Sequence, residues 1–421
     1  MRLDPRWPLA AACVLAIAGT GRAEAAATMD VLYSFCAQQG CPDGDQPYGG
    51  VTLLSSRKLV GTTGFGGKYN GTVFALDDRR GTWTLKSLKS FCVGTPPSCQ
   101  PDEGPSVTLV ADTNDNLYGT VYFGGANDQG GVFELEAKGG NKYALHYLYS
   151  FSGSDGSGPW ELSYAGQNTG ARYNGTSPLY GTTIAGGAGN SGTVFSLTPV
   201  GGKWNFATLW NFCAAGCSDG ALPRGGVIVD PSGNLFGTTS YEGPNNGDAI
   251  FELSNAQGAW DETTLYAFCS AANCSDGSGP FAGLAEDAAG NLYGTTYFGG
   301  NANDGVVFKF GTGGYSVLHQ FCSQGGCTDG SEPAAAVTLD TAGDIFGTAG
   351  RGGGGGGDGN YGVVFEIANG RYKRVYSFCA ANGCSDGGYP YGTLALDARG
   401  RIYGTTQYGG AHGLGEVYRL K

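Results

Sequence analysis

The nine residues Leu292–Gly300 read LYGTTYFGG: two apolar positions, a glycine, two threonines, two aromatics and two more glycines. Apolar and β-branched residues running into Gly-Gly describe a strand that enters a tight turn. Nearly the same letters recur around Gly61, Gly119, Gly181, Gly237, Gly294, Gly347 and Gly404, at spacings of 58, 62, 56, 57, 53 and 57 residues. A period in the fifties marks a repeat architecture. A segment copied in every repeat reports on structure before it reports on chemistry.

Around each copy the order is constant. An apolar stretch such as FAGLAED (Phe281–Asp287) passes through the turn AAGN (288–291) into the motif strand. A Gly-rich loop, the strand GVVFKF (Gly305–Phe310), another turn and a strand ending in Phe follow. Period-2 alternation bounded by Gly, Asn and Asp describes half-buried strands, and no sustained 3.6-residue period interrupts it. Four strands repeated seven times predict an all-β fold, a seven-bladed β-propeller of four-stranded antiparallel blades. A β-solenoid is the competing architecture.

The ends of the chain discriminate between the two. VLYSF (Val31–Phe35) matches the last strand of a unit, as in YLYSF (Tyr147–Phe151) and RVYSF (Arg374–Phe378), while the final unit stops one strand short at GEVYRL (Gly415–Leu420). The N-terminal strand is therefore expected to complete the last blade and close the ring, which removes open sheet edges. A solenoid would need caps, and no capping segment is evident. This closure makes the LYGTT strand second from the axis. It puts the cysteine-containing loops and the YFGG loops on one face of the disc, with the AAGN-type turns on the other.

Composition bounds the function. Glycine is 79 of 421 residues, yet aromatics at 12% and charged residues at 14% exclude a solvated tail, so the glycines punctuate a folded chain. Arg2 and Arg6 precede the apolar run Pro8–Gly19 and small-x-small sites at Ala23–Ala27. This predicts a secretory signal peptide over residues 1–25, with cleavage as late as 27, and one seven-repeat domain over 28–421. No other stretch is apolar enough to span a membrane. A net charge of −12 argues against nucleic acid and anionic membrane as partners.

Twelve of the thirteen cysteines fall in local pairs: Cys36–Cys41, Cys92–Cys99, Cys213–Cys217, Cys269–Cys274, Cys322–Cys327 and Cys379–Cys384. The third unit, with FSGSDGSG (Phe151–Gly158), lacks both members together, which is how a bond is lost. Disulfides are expected, in keeping with an exported chain of secreted, extracellular or periplasmic location. His146, His319 and His412 show no metal-ligand spacing, so neither metal nor cofactor is expected. Each cysteine loop runs into Asp-Gly or a close variant, as at Asp276-Gly277. This is a turn signal whose functional alternative is a ring of carboxylates.

The segments GNLYGTTYFGG with GVVFKF (Gly290–Phe310) and LYAFC…CSDG (Leu265–Gly277) resemble the bacterial tandem-repeat family named for its GloVer motif, the choice-of-anchor proteins. The resemblance extends over nearly all of the mature chain. It implies secretion and a propeller-like body, with no common activity. Many of those relatives carry a C-terminal sorting anchor; this chain departs from them by ending at Lys421 directly after a strand.

Function is then sought where repetition builds a surface or where copies differ. The loop aromatics Phe65, Tyr122, Phe123, Tyr241, Tyr297, Phe298 and Tyr408, with Trp160, are the first kind. They are positioned either to stack on sugar or protein, or to wedge between blades. Glu103, Glu161, Glu242, Arg224, Arg351 and His412 break the pattern of their units. If they converge, a carboxylate pair with Arg or His would suit a glycoside hydrolase or polysaccharide lyase. The favoured expectation is a monomer that binds extracellular glycan or protein on the cysteine-loop face. A structural cell-surface or matrix component is the third possibility.

Overall fold

The computed structural model describes residues 27–421 except 69, 92–103, 106, 244–246, 257 and 355–359; the side chains of 242, 243 and 247 are likewise outside it. The described residues form seven four-stranded antiparallel sheets. In chain order the blades begin at their innermost strands Thr52–Ser55, Val110–Ala111, Ser157–Tyr164, Ile228–Val229, Ala285–Glu286, Thr338–Leu339 and Ala395–Leu396. Blade 7 takes its outermost strand from the N-terminal segment Met29–Ser34, which pairs antiparallel with Glu416–Leu420. Asp30 adds ion pairs to Arg419 at 2.6 Å and Lys421 at 2.5 Å. The predicted propeller and its closure by the first strand are what the structure shows.

The repeated glycine has a specific cause. In the register of blade 5, Gly294 lies opposite Phe308, and a Cβ on Gly294 would sit 2.6 Å from the Phe308 ring. The same holds for Gly61 with Phe74 and Gly181 with Phe195. The neighbour admitted by the glycine is thus the cross-strand aromatic of its own blade, the tip of whose ring lies over the missing side chain.

That aromatic then meets the preceding blade. Phe268, at the end of the outer strand of blade 4, packs edge-on against Phe308 of blade 5 with centroids 5.1 Å apart. Six equivalent pairs run around the ring, from Phe35–Phe74 at 5.1 Å to Phe378–Tyr418 at 5.1 Å. The terminal Phe of each outer strand and the Phe or Tyr of the third strand are both buried, so each seam between blades has an aromatic centre. Nearer the axis, the first threonine of the motif reaches across the seam in every blade but the sixth. Thr295 donates to the Ala335 carbonyl at 3.0 Å, and Thr62 to Val107 at 3.0 Å.

Candidate functional site: two faces of the disc

On the cysteine-loop face the five described disulfides pair as expected: Cys36–Cys41, Cys213–Cys217, Cys269–Cys274, Cys322–Cys327 and Cys379–Cys384. The Cys92–Cys99 pair lies outside the described residues. Every one of these cysteines except Cys217 has a positive φ, so the bridges fix backbone that L-residues otherwise avoid. Asp304 approaches Cys322 and Cys327, but both sulfurs are committed to their disulfide and offer no thiolate to a metal.

The Asp-Gly aspartates are structural anchors. Tyr266 donates to Asp276 at 2.6 Å, Tyr33 to Asp43 at 2.8 Å, Tyr376 to Asp386 at 2.9 Å and the Trp210 indole to Asp219 at 3.0 Å. A backbone N–H just past the first cysteine position bonds the same carboxylate, as Ser270 does to Asp276 at 3.0 Å. The carboxylates tie each cysteine loop to the preceding outer strand and do not form an open ring. Hydrogen bonds from Tyr266 and Ser270 outweigh desolvation and hold Asp276 below its ordinary pKa.

The YFGG loops lie against the cysteine loops. Gly300 donates to the Cys274 carbonyl at 2.9 Å, and a Cβ on Gly299 (φ 79°) would sit 2.5 Å from the Gly277 Cα. This contact separates the two aromatics that precede the glycines. The first turns inward: Tyr297 packs on Phe281 and donates to Glu332 of the next loop at 2.6 Å, and Tyr122 meets Trp160 edge-on at 6.1 Å. The second turns out: Phe123 is 36% exposed, Tyr241 56%, Phe298 42% and Tyr408 41%. Phe65 holds the equivalent place in blade 1, half-buried beside Tyr48.

Arg351 occupies this position in blade 6, forming the same backbone bridge to Ser331 that Phe298 forms to Ser278. Its guanidinium pairs with Glu332 at 2.8 Å and lies 5.8 Å over the Tyr389 ring. Arg224 packs at 5.0 Å over Phe281, and His412 is exposed in the blade 7 loop. Arg224 and Arg351 thus have different immediate partners, joined through Tyr297, which packs on Phe281 and donates to Glu332. Glu103 and the side chain of Glu242 are outside the described residues.

Glu161 is the exception, and its expected place on the cysteine-loop face is corrected. It follows Trp160 by one residue on the inner strand, which sends its side chain to the axis. The Trp160 carbonyl accepts from Thr120 at 3.0 Å, and the corresponding acceptors in other blades are Gly49, Val107, Gly225, Ala282 and Ala335. The residue after each acceptor forms the axial ring: Gly50, Thr108, Glu161, Gly226, Gly283 and Ala336, with Thr393 in blade 7. Inner strands crowd there, so a Cβ on Gly50 would sit 2.2 Å from the Thr393 carbonyl. Glu161 is the only ionisable side chain in this ring. Burial pushes its carboxyl above the ordinary range, against opposing hydrogen bonds from Thr108.

Below the ring an axial cavity of about 360 Å³ extends toward the opposite face. There, blades 2 and 4 to 7 turn through Asx motifs such as Asp287, which accepts from the Ala289 and Asn291 N–H groups. Blade 3 instead inserts residues 165–178. Its Tyr173 bonds the Ala111 backbone, Arg172 pairs with Asp115 of blade 2 at 2.7 Å, and Asn168 donates to Glu286 of blade 5 at 2.7 Å. The insertion contributes Gln167, Asn168 and Gly170 to the cavity wall. Sequence reading missed it, although the 62-residue spacing before Gly181, the longest of the six, marked blade 3.

The molecule is a seven-bladed propeller assembled from tandem repeats, with outward aromatics on one face and a cavity on its axis. The repeat itself identifies its lineage: residues 97–274 and 270–421 match the Gloeobacter/Verrucomicrobia repeat, and the chain belongs to that family. No curated protein matches the chain. Among solved structures, it superposes on a puromycin hydrolase S511A mutant complexed with PGG (TM-score 0.50, 14% identity, 86% of this chain and 50% of that one). A candidate 6-phosphogluconolactonase from Bacteroides uniformis gives a TM-score of 0.49 at 15% identity, covering 88% of this chain and 93% of that one. A puromycin-hydrolyzing peptidase of Mycobacterium tuberculosis gives 0.49 at 10% identity, covering 86% and 49%. Identities this low speak to fold alone. Among the described residues no helix is long and apolar enough to cross a membrane.

Proposed function

We propose that this is an exported binding protein that holds uncharged polysaccharide on its cysteine-loop face. The observation that carries the reading is the circle of outward rings at one repeated position, Phe123, Tyr241, Phe298 and Tyr408, joined by half-buried Phe65. Rings flanked by glycine stack on the apolar faces of sugars without needing an ordered side-chain network. Regular spacing around a rigid disc suits a polymer that presents the same face repeatedly. The net charge of −12 disfavours polyanions, which selects neutral chains. Disulfides support an oxidising location, consistent with a leader over residues 1–25 ahead of one domain.

The test is affinity electrophoresis and titration calorimetry against cellulose, xylan, mannan and a pectin, with each mixture assayed for reducing-end and unsaturated products. Retention by a neutral polymer without product is expected. Alanine at Phe123, Tyr241, Phe298 or Tyr408 should each weaken binding about 2- to 10-fold, as loss of about 0.5–1.5 kcal/mol of stacking predicts. Product formation would instead support the hydrolase or lyase reading, and retention of none of the polymers the structural one.

A further inference from the structure

We propose that the axial cavity is a second ligand site, for a small organic cation with a compact apolar body, and that Glu161 pairs with its ammonium group. Four observations converge on it. The cavity, at about 360 Å³, lies at the small end of ligand pockets, roughly 300–1,000 Å³, and excludes a polymer. Val229, Leu339 and Leu396 give it apolar walls, while Glu161 lies near one end and Glu286 near the other. No Lys, Arg or His lines it among the described residues, so an anionic ligand would meet only like charge and a cation gains a partner.

The fourth observation is the concentration of departures in one blade. Blade 3 lacks the disulfide, places the only ionisable residue in a ring otherwise made of Gly, Ala and Thr, and carries the insertion 165–178. Two of these breaks, the axial carboxyl and the insertion, line one cavity. A repeat selected only to close a ring has no reason to place a carboxyl on its axis, where its burial is costly unless it is paired. Asn168 latches the insertion to Glu286 at 2.7 Å, and Arg172 and Tyr173 fasten it to blade 2. The insertion therefore forms a rim over the turn-face mouth and restricts entry to small molecules.

Titration calorimetry of the mature chain with cyclohexylammonium chloride, cyclohexanol and cyclohexanecarboxylate tests this. These probes share one apolar body and differ in charge. At pH 8, chosen because burial raises the Glu161 carboxyl, the cation should bind at least tenfold more tightly than the alcohol, and the carboxylate should not bind. Glu161→Gln should bring the cation to the level of the alcohol while leaving the melting temperature within a few degrees. Ala336→Leu, which narrows the cavity and keeps the carboxyl, should weaken cation and alcohol alike. Equal affinity of the wild type for cation and alcohol, or no cation binding, overturns the proposal. So does cation binding unchanged in a folded Glu161→Gln. If that variant does not fold, Ala336→Leu decides: unchanged binding places the ligand elsewhere and sinks the idea.

Discussion

The hydroxyl of Thr405 donates to the carbonyl of Gly49 at 2.9 Å, across 356 residues of chain. It is the same seam bond that Thr295 makes to Ala335 within the body of the ring, here made where the two ends of the chain meet. Thr348 holds the equivalent position in blade 6, and its buried hydroxyl has no partner. The two residues therefore give opposite expectations under one substitution. Thr405→Val should destabilise by about 1–3 kcal/mol, because the buried Gly49 carbonyl loses its donor. Thr348→Val should be neutral or slightly stabilising, because it removes an orphan hydroxyl. Urea unfolding of the two variants side by side measures the difference.

Glu416 predicts an alkaline weakness. It is fully buried in the third strand of blade 7, neither carboxylate oxygen has a partner, and burial with nearby Asp386 pushes its pKa up to about 9. A carboxyl raised in the folded state binds a proton that the unfolded chain releases. Its contribution is full below about pH 4.5 and declines until pH passes about 9. The decline approaches about 1.4 kcal/mol per pH unit at most. Glu416→Gln should therefore gain stability over wild type progressively from pH 5 to 9. Denaturant midpoints at pH 5, 7 and 9 read this, and a constant offset between the two proteins would refute it.

Gly294 should resist even the smallest side chain. A Cβ there meets the Phe308 ring at 2.6 Å, whereas one on Gly313, in the turn before the outer strand of the same blade, meets nothing within 4 Å. Gly294→Ala is expected to cost about 1–3 kcal/mol as overpacking. Gly313→Ala should stay within about 0.5 kcal/mol of wild type. Thermal melts of the pair separate a contact effect from a general intolerance of alanine.

The disulfides should act locally. Closing the short Cys269–Cys274 loop is worth about 2 kcal/mol in the chain-entropy model. The double variant Cys269→Ser, Cys274→Ser should lose about that much while Tyr266 and Asp276 still hold the loop to its strand. Adding Tyr266→Phe should remove a further 1.5–3 kcal/mol, roughly the worth of a hydrogen bond to a carboxylate. Intact mass under non-reducing conditions provides the companion measurement, with no free thiol expected among the paired cysteines.

Much of the architecture is legible in the repeated letters, because period-2 burial and glycine punctuation are local properties. The partners of those letters are not local. The need for Gly294 arises from Phe308, and that pairing exists only once strand register is fixed. The coupling of Tyr266 to Asp276 left a trace, since Tyr33 with Asp43 and Tyr376 with Asp386 recur at the same separation of ten residues. Glu161 stood out as a break in pattern, yet it was assigned to the wrong face. A single step along a strand reverses a side chain, so Trp160 meets the neighbouring loop while Glu161 meets the axis. For the loop aromatics both readings hold by position: Tyr297 wedges inward and Phe298 faces solvent.

The single split blade bears on how this chain changes over generations. Six blades are each one contiguous unit of four strands, and only the last is split, its outermost strand supplied by Met29–Ser34 pairing with Glu416–Leu420. Duplicating or deleting one unit inserts or removes a whole wedge together with one aromatic seam, and the joint between the two ends is untouched. Blade number can thus vary in integer steps without creating a raw sheet edge, while point changes inside one unit, as in blade 3, are free to specialise a single sector of an otherwise uniform wheel.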